Sequence, residues 1–93
     1  MTEEFKFENI QERVLFNIAR ARKKVNIDEI IHLTGNSLNR KQVFNALDSL
    51  KRRSLIKKKE GEIIINFSNI MRIKKVLGEH WESNWENEWR EIK

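Results

Sequence analysis

The sequence predicts an α+β domain, mostly helical, in which three helices lead into a two-stranded hairpin and an added amphipathic helix closes the chain. Three observations carry this. Asparagine opens three separate apolar runs, each followed three residues later by a side chain able to complete the cap: Asn9 with Glu12, Asn26 with Glu29, and Asn39 with Gln42. After Leu55 the hydrophobic period changes from about 3.6 to about 2. Near the C-terminus Trp81, Trp85 and Trp89 recur at helical spacing.

Asparagine is a strong N-cap because its side-chain oxygen accepts from a free N–H one turn in, and a Glu or Gln at the third helical position reaches back to the cap's own N–H. Behind Asn9, the residues Ile10, Val14, Leu15, Ile18 and Ala19 share one face, with Phe16 to one side, which predicts a first helix over 10–22. Lys23 to Val25 is too short and too basic for more than a linker or a single bridge of strand. Ile27, Ile30, Ile31 and Leu33 are the buried set of a second helix, stopped by Gly35 and Asn36, which accept the left-handed backbone that ends many helices. After a turn through Ser37 and Leu38, the span 40–52 places Val43, Ala46, Leu47 and Leu50 on the narrow stripe of a third helix.

Residues 55–59 and 62–67 read as strands joined at Glu60-Gly61, with Ile63, Ile65 and Phe67 on one side and Gly61 supplying the positive φ of the turn. From a cap at Ser68 or Asn69, a final helix carries Ile70, Ile73, Leu77, Trp81, Trp85, Trp89 and Ile92 within about half its circumference. Gly78 is the point at which this helix would weaken or kink. The chain thus divides into an N-terminal extension (1–8), a domain of helices and hairpin (9–67), and a tryptophan-rich helix (68–93), without internal repeats or low-complexity linkers.

Composition narrows the function. A chain of 93 residues makes one domain whose core must be compact or shared with a second subunit, so a homodimer is expected. The lack of cysteine removes disulfides, thiolate metal sites and cysteine nucleophiles, and fits a reducing compartment. Uninterrupted apolar stretches such as Ile63 to Ile65 are three residues long, far short of the roughly 20 a bilayer span needs, and the acidic start is unlike a secretory signal. A soluble cytoplasmic protein, nucleoid-associated in a prokaryote, is the expectation. His32 and His80 lack ligand spacing, the carboxylates form no acid–base pair, and no glycine-rich loop could cradle a phosphate. Neither metal, cofactor nor enzymatic activity is expected.

The net charge is +5, unevenly placed: residues 79–93 hold five glutamates against Arg90 and Lys93, a local net of −3, which leaves +8 on the first 78 residues. A basic domain of this kind suits a polyanionic partner.

The run T-G-N-S-L-N-R-K-Q-V-F-N-A-L-D-S-L-K-R-R-S-L-I, from Thr34 to Ile56, resembles the second half of a winged helix-turn-helix domain: a glycine-containing turn, a recognition helix with a central apolar stripe and a charged end, then a small residue and Leu-Ile entering the wing. With the flanking elements the resemblance covers roughly residues 9–67. It departs in one respect, since the interval from Gly35 to Val43 is about two residues longer than in the tightest such units, which predicts a looser turn.

The resemblance implies that the third helix enters the major groove of double-stranded DNA while the wing touches backbone or minor groove. Opposite Val43, that helix shows Lys41, Asn45, Asp48, Ser49 and Arg52, and Arg40 flanks its first turn. Asn and Arg can read adenine and guanine bidentately, and lysines such as Lys57, Lys58 and Lys59 of the wing can hold phosphates. Arg20, Arg22, Lys23 and Lys24 add positive charge to the same domain. Asp48 opposes phosphate contact, and a solvated helix face is the competing reading. With three or four phosphate contacts in each subunit of a dimer, affinity would fall with a log–log salt slope of roughly −5 to −7. The expected role is a transcriptional regulator or a chromosome- or plasmid-associated factor; the rival is a protein-interaction winged helix, an adaptor in a larger complex.

Leu77, Trp81, Trp85 and Trp89 are the candidate dimer or partner interface. Each indole can bury ~150 to 250 Å², so the closing helix is stable only if they are covered. They could complete the core against the first helix together with Phe5 and Phe7, meet the same helix of a second copy, dock on another protein, or let the acidic tail fold over the chain's own basic face.

Overall fold

The computed structural model describes residues 9–92. Among these the chain is α+β and mostly helical, with helices α1 (Ile10–Ala21), α2 (Ile27–Leu33), α3 (Arg40–Arg52), α4 (Ile70–Leu77) and α5 (Ser83–Arg90), and an antiparallel hairpin of β1 (Ile56–Lys59) and β2 (Glu62–Ile65). Phe5, Phe7 and the rest of the expected extension lie outside the described residues.

All three asparagines cap as expected. The Oδ1 atoms of Asn9, Asn26 and Asn39 accept from the N–H groups of Glu12, Glu29 and Gln42, each at 2.8 Å. At α2 and α3 the box closes in both directions, because Glu29 and Gln42 accept from the cap N–H at 2.9 Å. The other end of α2 is held by α1. Arg20 donates to the Leu33 carbonyl at 2.9 Å and Arg13 to that of Thr34 at 3.3 Å, both among the carbonyls a helix end leaves unpaired. Gly35 and Asn36, at φ 72° and 62°, then turn the chain toward α3.

α1 is the hub. Val14, Leu15, Phe16, Asn17, Ile18 and Ala19 are all buried, so its middle is covered on every side and not on one face alone. It packs against α2, α3, α4 and β2. Val25 joins the hairpin through a two-bond bridge to Ile63, at 3.0 and 2.7 Å, the single bridge of strand that Lys23 to Val25 allowed. Within the hairpin Ile56 faces Ile65 and Lys58 faces Ile63, across a turn in which both Glu60 (φ 53°) and Gly61 (φ 82°) are left-handed. Two successive positive φ values give the turn the twist that matches a right-twisted pair of strands.

Three expectations for the C-terminal part are corrected. β2 ends at Ile65, and Phe67 opens a short 3-10 turn (Phe67–Asn69) instead of extending the strand. Asn69 sits at the cap position of α4 but makes no cap bond; its amide donates to the Ser54 carbonyl at 3.1 Å, beside Asn66, which does the same at 2.9 Å. The expected single closing helix is two helices. The break falls at Gly78, at φ 56° and ψ −128°, followed by one 3-10 turn (Gly78–His80) and extended backbone at Trp81. A straight helix over 69–92 would reach about 36 Å, beyond the 31 Å extent of the Cα trace. The break returns α5 to α1 instead.

That return places Trp85 and Trp89, beside Leu77 at the end of α4, in the same core as Val14, Leu15, Leu50 and Ile63. The Trp85 ring lies 5.7 Å from that of Phe16, and the Trp89 indole N–H donates to the Ala19 carbonyl. Trp81 is half-buried, edge-on to Trp85 at 5.3 Å. At ~25 cal/mol per Å², burying two indoles contributes several kcal/mol each, which is what holds so short a helix as α5 in place. Among the described residues no helix is long and apolar enough to cross a membrane.

Candidate nucleic-acid interface

α3 turns one polar face outward. Lys41, Asn45, Asp48 and Arg52 are exposed and Ser49 half-exposed, while Val43, Ala46, Leu47 and Leu50 hold the helix to the core. The hairpin follows directly, because Ser54 takes a left-handed φ of 63° and Leu55 donates back to the Leu50 carbonyl at 3.0 Å. The third helix and the lysine-rich strand are therefore joined by a tight corner and sit side by side.

Two of the expected site cations carry partners within the chain. Arg40 forms an ion pair with Asp28 of α2, and Arg52 donates to Asp48 one turn back at 2.6 Å. Both pairs are solvent-exposed, where such contacts are worth ~0–1 kcal/mol, so a competing anion can displace them. Lys41, Lys57 and Lys59 form no ion pair among the described residues.

The strand period divides the three wing lysines. Lys58 shares the face of Ile56, Ile63 and Ile65, whereas Lys57 and Lys59 point to the other side. On its side Lys58 reaches α3, with Nζ 5.4 Å from the centroid of the Phe44 ring. Phe44 was not among the expected site residues. It stands about 100° round the helix from Val43 and is 53% exposed. With Leu47, Asp48, Lys51, Ile56 and Lys58 it lines a cleft of about 70 Å³ between α3 and β1.

The additional basic residues of the domain have partners within the chain. Arg20 supports the end of α2 and stacks on Phe16 at 5.4 Å. Arg22 pairs with Glu88 at 2.7 Å, Lys23 with Glu29 at 3.2 Å, and Lys24 with Glu62 at 3.9 Å. The Glu29 carboxyl is held below the usual glutamate range by the Asn26 backbone N–H and by Lys23. Glu86 is lowered in the same direction by its hydrogen bond with Lys74, with Arg90 adding to it.

Leu77, Trp85 and Trp89, expected at a dimer or partner interface, are 2–3% exposed within the single chain. A seam built from them would require α5 to leave α1. Among the described residues, no group of three or more His, Asp or Glu side chains is placed to hold a metal ion. Comparison with family models, with curated proteins and with solved structures returns no match.

Proposed function

We propose that this chain is a winged-helix DNA-binding protein, a transcriptional regulator or chromosome- or plasmid-associated factor, that sets α3 in the major groove and its hairpin, as the wing, against the backbone. The observation that carries the reading is that α3 and the hairpin lie side by side and both present exposed cations outside any ion pair. Lys41 on α3 and Lys57 and Lys59 on the hairpin are exposed without ion-pair partners among the described residues, whereas Arg22, Lys23 and Lys24 are paired. A lysine outside any ion pair can take a phosphate without breaking one.

In this reading Lys41, Lys57, Lys58 and Lys59 hold phosphates, Asn45 reads a base edge, and Arg40 and Arg52 exchange Asp28 and Asp48 for DNA on binding. Ser49, half-exposed, supplies one weaker hydroxyl contact. The test is titration of random duplex DNA over a salt series. Three or four phosphate contacts in one subunit predict a log–log slope of roughly −3 to −4. A slope near zero, or no binding at low salt, would remove the proposal.

A further inference from the structure

We propose that Phe44 is a specificity-determining residue of this surface and that the group it recognises is the 5-methyl of thymine. This rests on the DNA-binding reading and deepens it. The four other apolar residues of α3 are at most 4% exposed, while Phe44 is 53% exposed on a helix flank that is otherwise polar. The ring is also held in place. Lys58 lies over it from β1 within cation–π reach, and Leu47 and Ile56 line the cleft at its foot.

An exposed phenyl ring loses free energy to water, and gains it from any apolar group that covers it. A helix in the major groove meets base edges that are polar except at one point, the thymine methyl. Phe44 is next to Asn45, the α3 side chain able to bond adenine at N6 and N7. The two neighbouring side chains together fit the apolar and polar marks of A·T pairs. Lys58 needs no rearrangement to join in: an ammonium beside the ring is already at the edge of the docked helix, on the side where the wing would meet the phosphates. Among the described residues the other large exposed apolar side chains are Ile10 on α1 and Met71 on α4, away from α3 and the hairpin.

The experiment compares binding to an alternating A-T duplex with binding to the same duplex carrying deoxyuridine in place of thymidine. The wild-type protein should bind the uridine duplex more weakly by about fourfold for each methyl contacted, the worth of one buried methylene. Phe44→Ala should bind both duplexes equally, with the melting temperature and the salt slope of the wild type. Equal wild-type affinities, or the same ratio in Phe44→Ala, with the salt slope intact, would overturn the role of Phe44 and leave DNA binding standing. Failure to bind either duplex at low salt would overturn both.

Discussion

The indole N–H of Trp89 donates to the carbonyl oxygen of Ala19 at 2.6 Å. Ala19 lies in the last turn of α1, where carbonyls have no helical partner. The C-terminal helix therefore satisfies one carbonyl at the end of the first while the Trp89 ring fills the core.

Trp89→Phe keeps most of the ring and removes the donor, and should cost about 1–3 kcal/mol, the penalty of a buried carbonyl left unpaired. Trp85→Ala should cost about 3–5 kcal/mol. Urea unfolding at two protein concentrations checks both. The midpoints should not move on dilution, and the variants should keep the wild-type sedimentation mass. A midpoint that falls on dilution would return the tryptophans to a seam between subunits.

Arg40 and Asp28 give a paired test at the α3 surface. Arg40→Ala and Asn45→Ala should each reduce the preference for a specific site by about 1–3 kcal/mol if they touch bases. Melting temperatures should barely change, since the Arg40–Asp28 pair is exposed. Asp28→Asn should tighten binding to every duplex, because it removes a negative charge and frees the guanidinium. Weaker binding in Asp28→Asn would mean that Asp28 positions Arg40 instead of competing for it.

The hairpin lysines should separate in a salt series. Each of Lys57→Gln, Lys58→Gln and Lys59→Gln that loses a phosphate contact flattens the slope by about 0.9. Lys57 and Lys59 share one face and Lys58 the other, so the loss in all three that the proposal expects means a hairpin set edge-on to the DNA. A loss for Lys57 and Lys59 alone would lay the outer face on the backbone and remove Lys58 from the phosphate contacts.

Glu29 sets an acid limb. Its folded-state pKa is lowered by the Asn26 N–H and by Lys23, so the stabilisation is complete above the unfolded value of about 4.3 and is lost as pH falls through the lower folded value. Glu29→Gln keeps an acceptor for the cap but does not titrate. The variant should therefore lose less stability than the wild type between neutral pH and the acid range, measured by urea midpoints. Parallel acid limbs in the two proteins would show that the carboxylate is not stabilised by folding.

Gly78→Ala tests the break between α4 and α5. Nothing lies within 4 Å of a Cβ placed there, so space is not limiting, but φ of 56° with ψ of −128° is unfavourable for any residue with a side chain. A loss of about 1–3 kcal/mol is expected. A neutral result would mean that the segment can re-form its turn without the left-handed glycine.

Local chemistry was legible in the sequence and distant pairing was not. The three asparagine caps, the Gly35-Asn36 stop and the Glu60-Gly61 turn depend on residues within four positions of one another, and all are present. The alternation of Lys57, Lys58 and Lys59 also followed from the strand period, although the three had been grouped as one patch. The pairing of Arg22 with Glu88 joins residues far apart in the chain and has no periodic signature. The closing helix misled because Trp81, Trp85 and Trp89 keep helical spacing across a backbone that is extended at Trp81 itself. Phe44 escaped notice since it neighbours the buried stripe, and only the position of β1 reveals how much of its ring stays open.

The break at Gly78 also shapes the electric field of the molecule. By folding back onto α1, the C-terminal segment brings Glu88 to Arg22 and Glu86 to Lys74, so it acts as a built-in counter-ion for one part of the surface and leaves the lysines of α3 and the hairpin unscreened. The offset is local: Lys41, Lys57 and Lys59, like Arg72 and Lys75 of α4, stay outside any ion pair among the described residues. Under the proposed DNA-binding reading, the pairing of Arg22 and Lys74 with glutamates removes two cations from competing attachment, because a polyanion would first have to displace a carboxylate there.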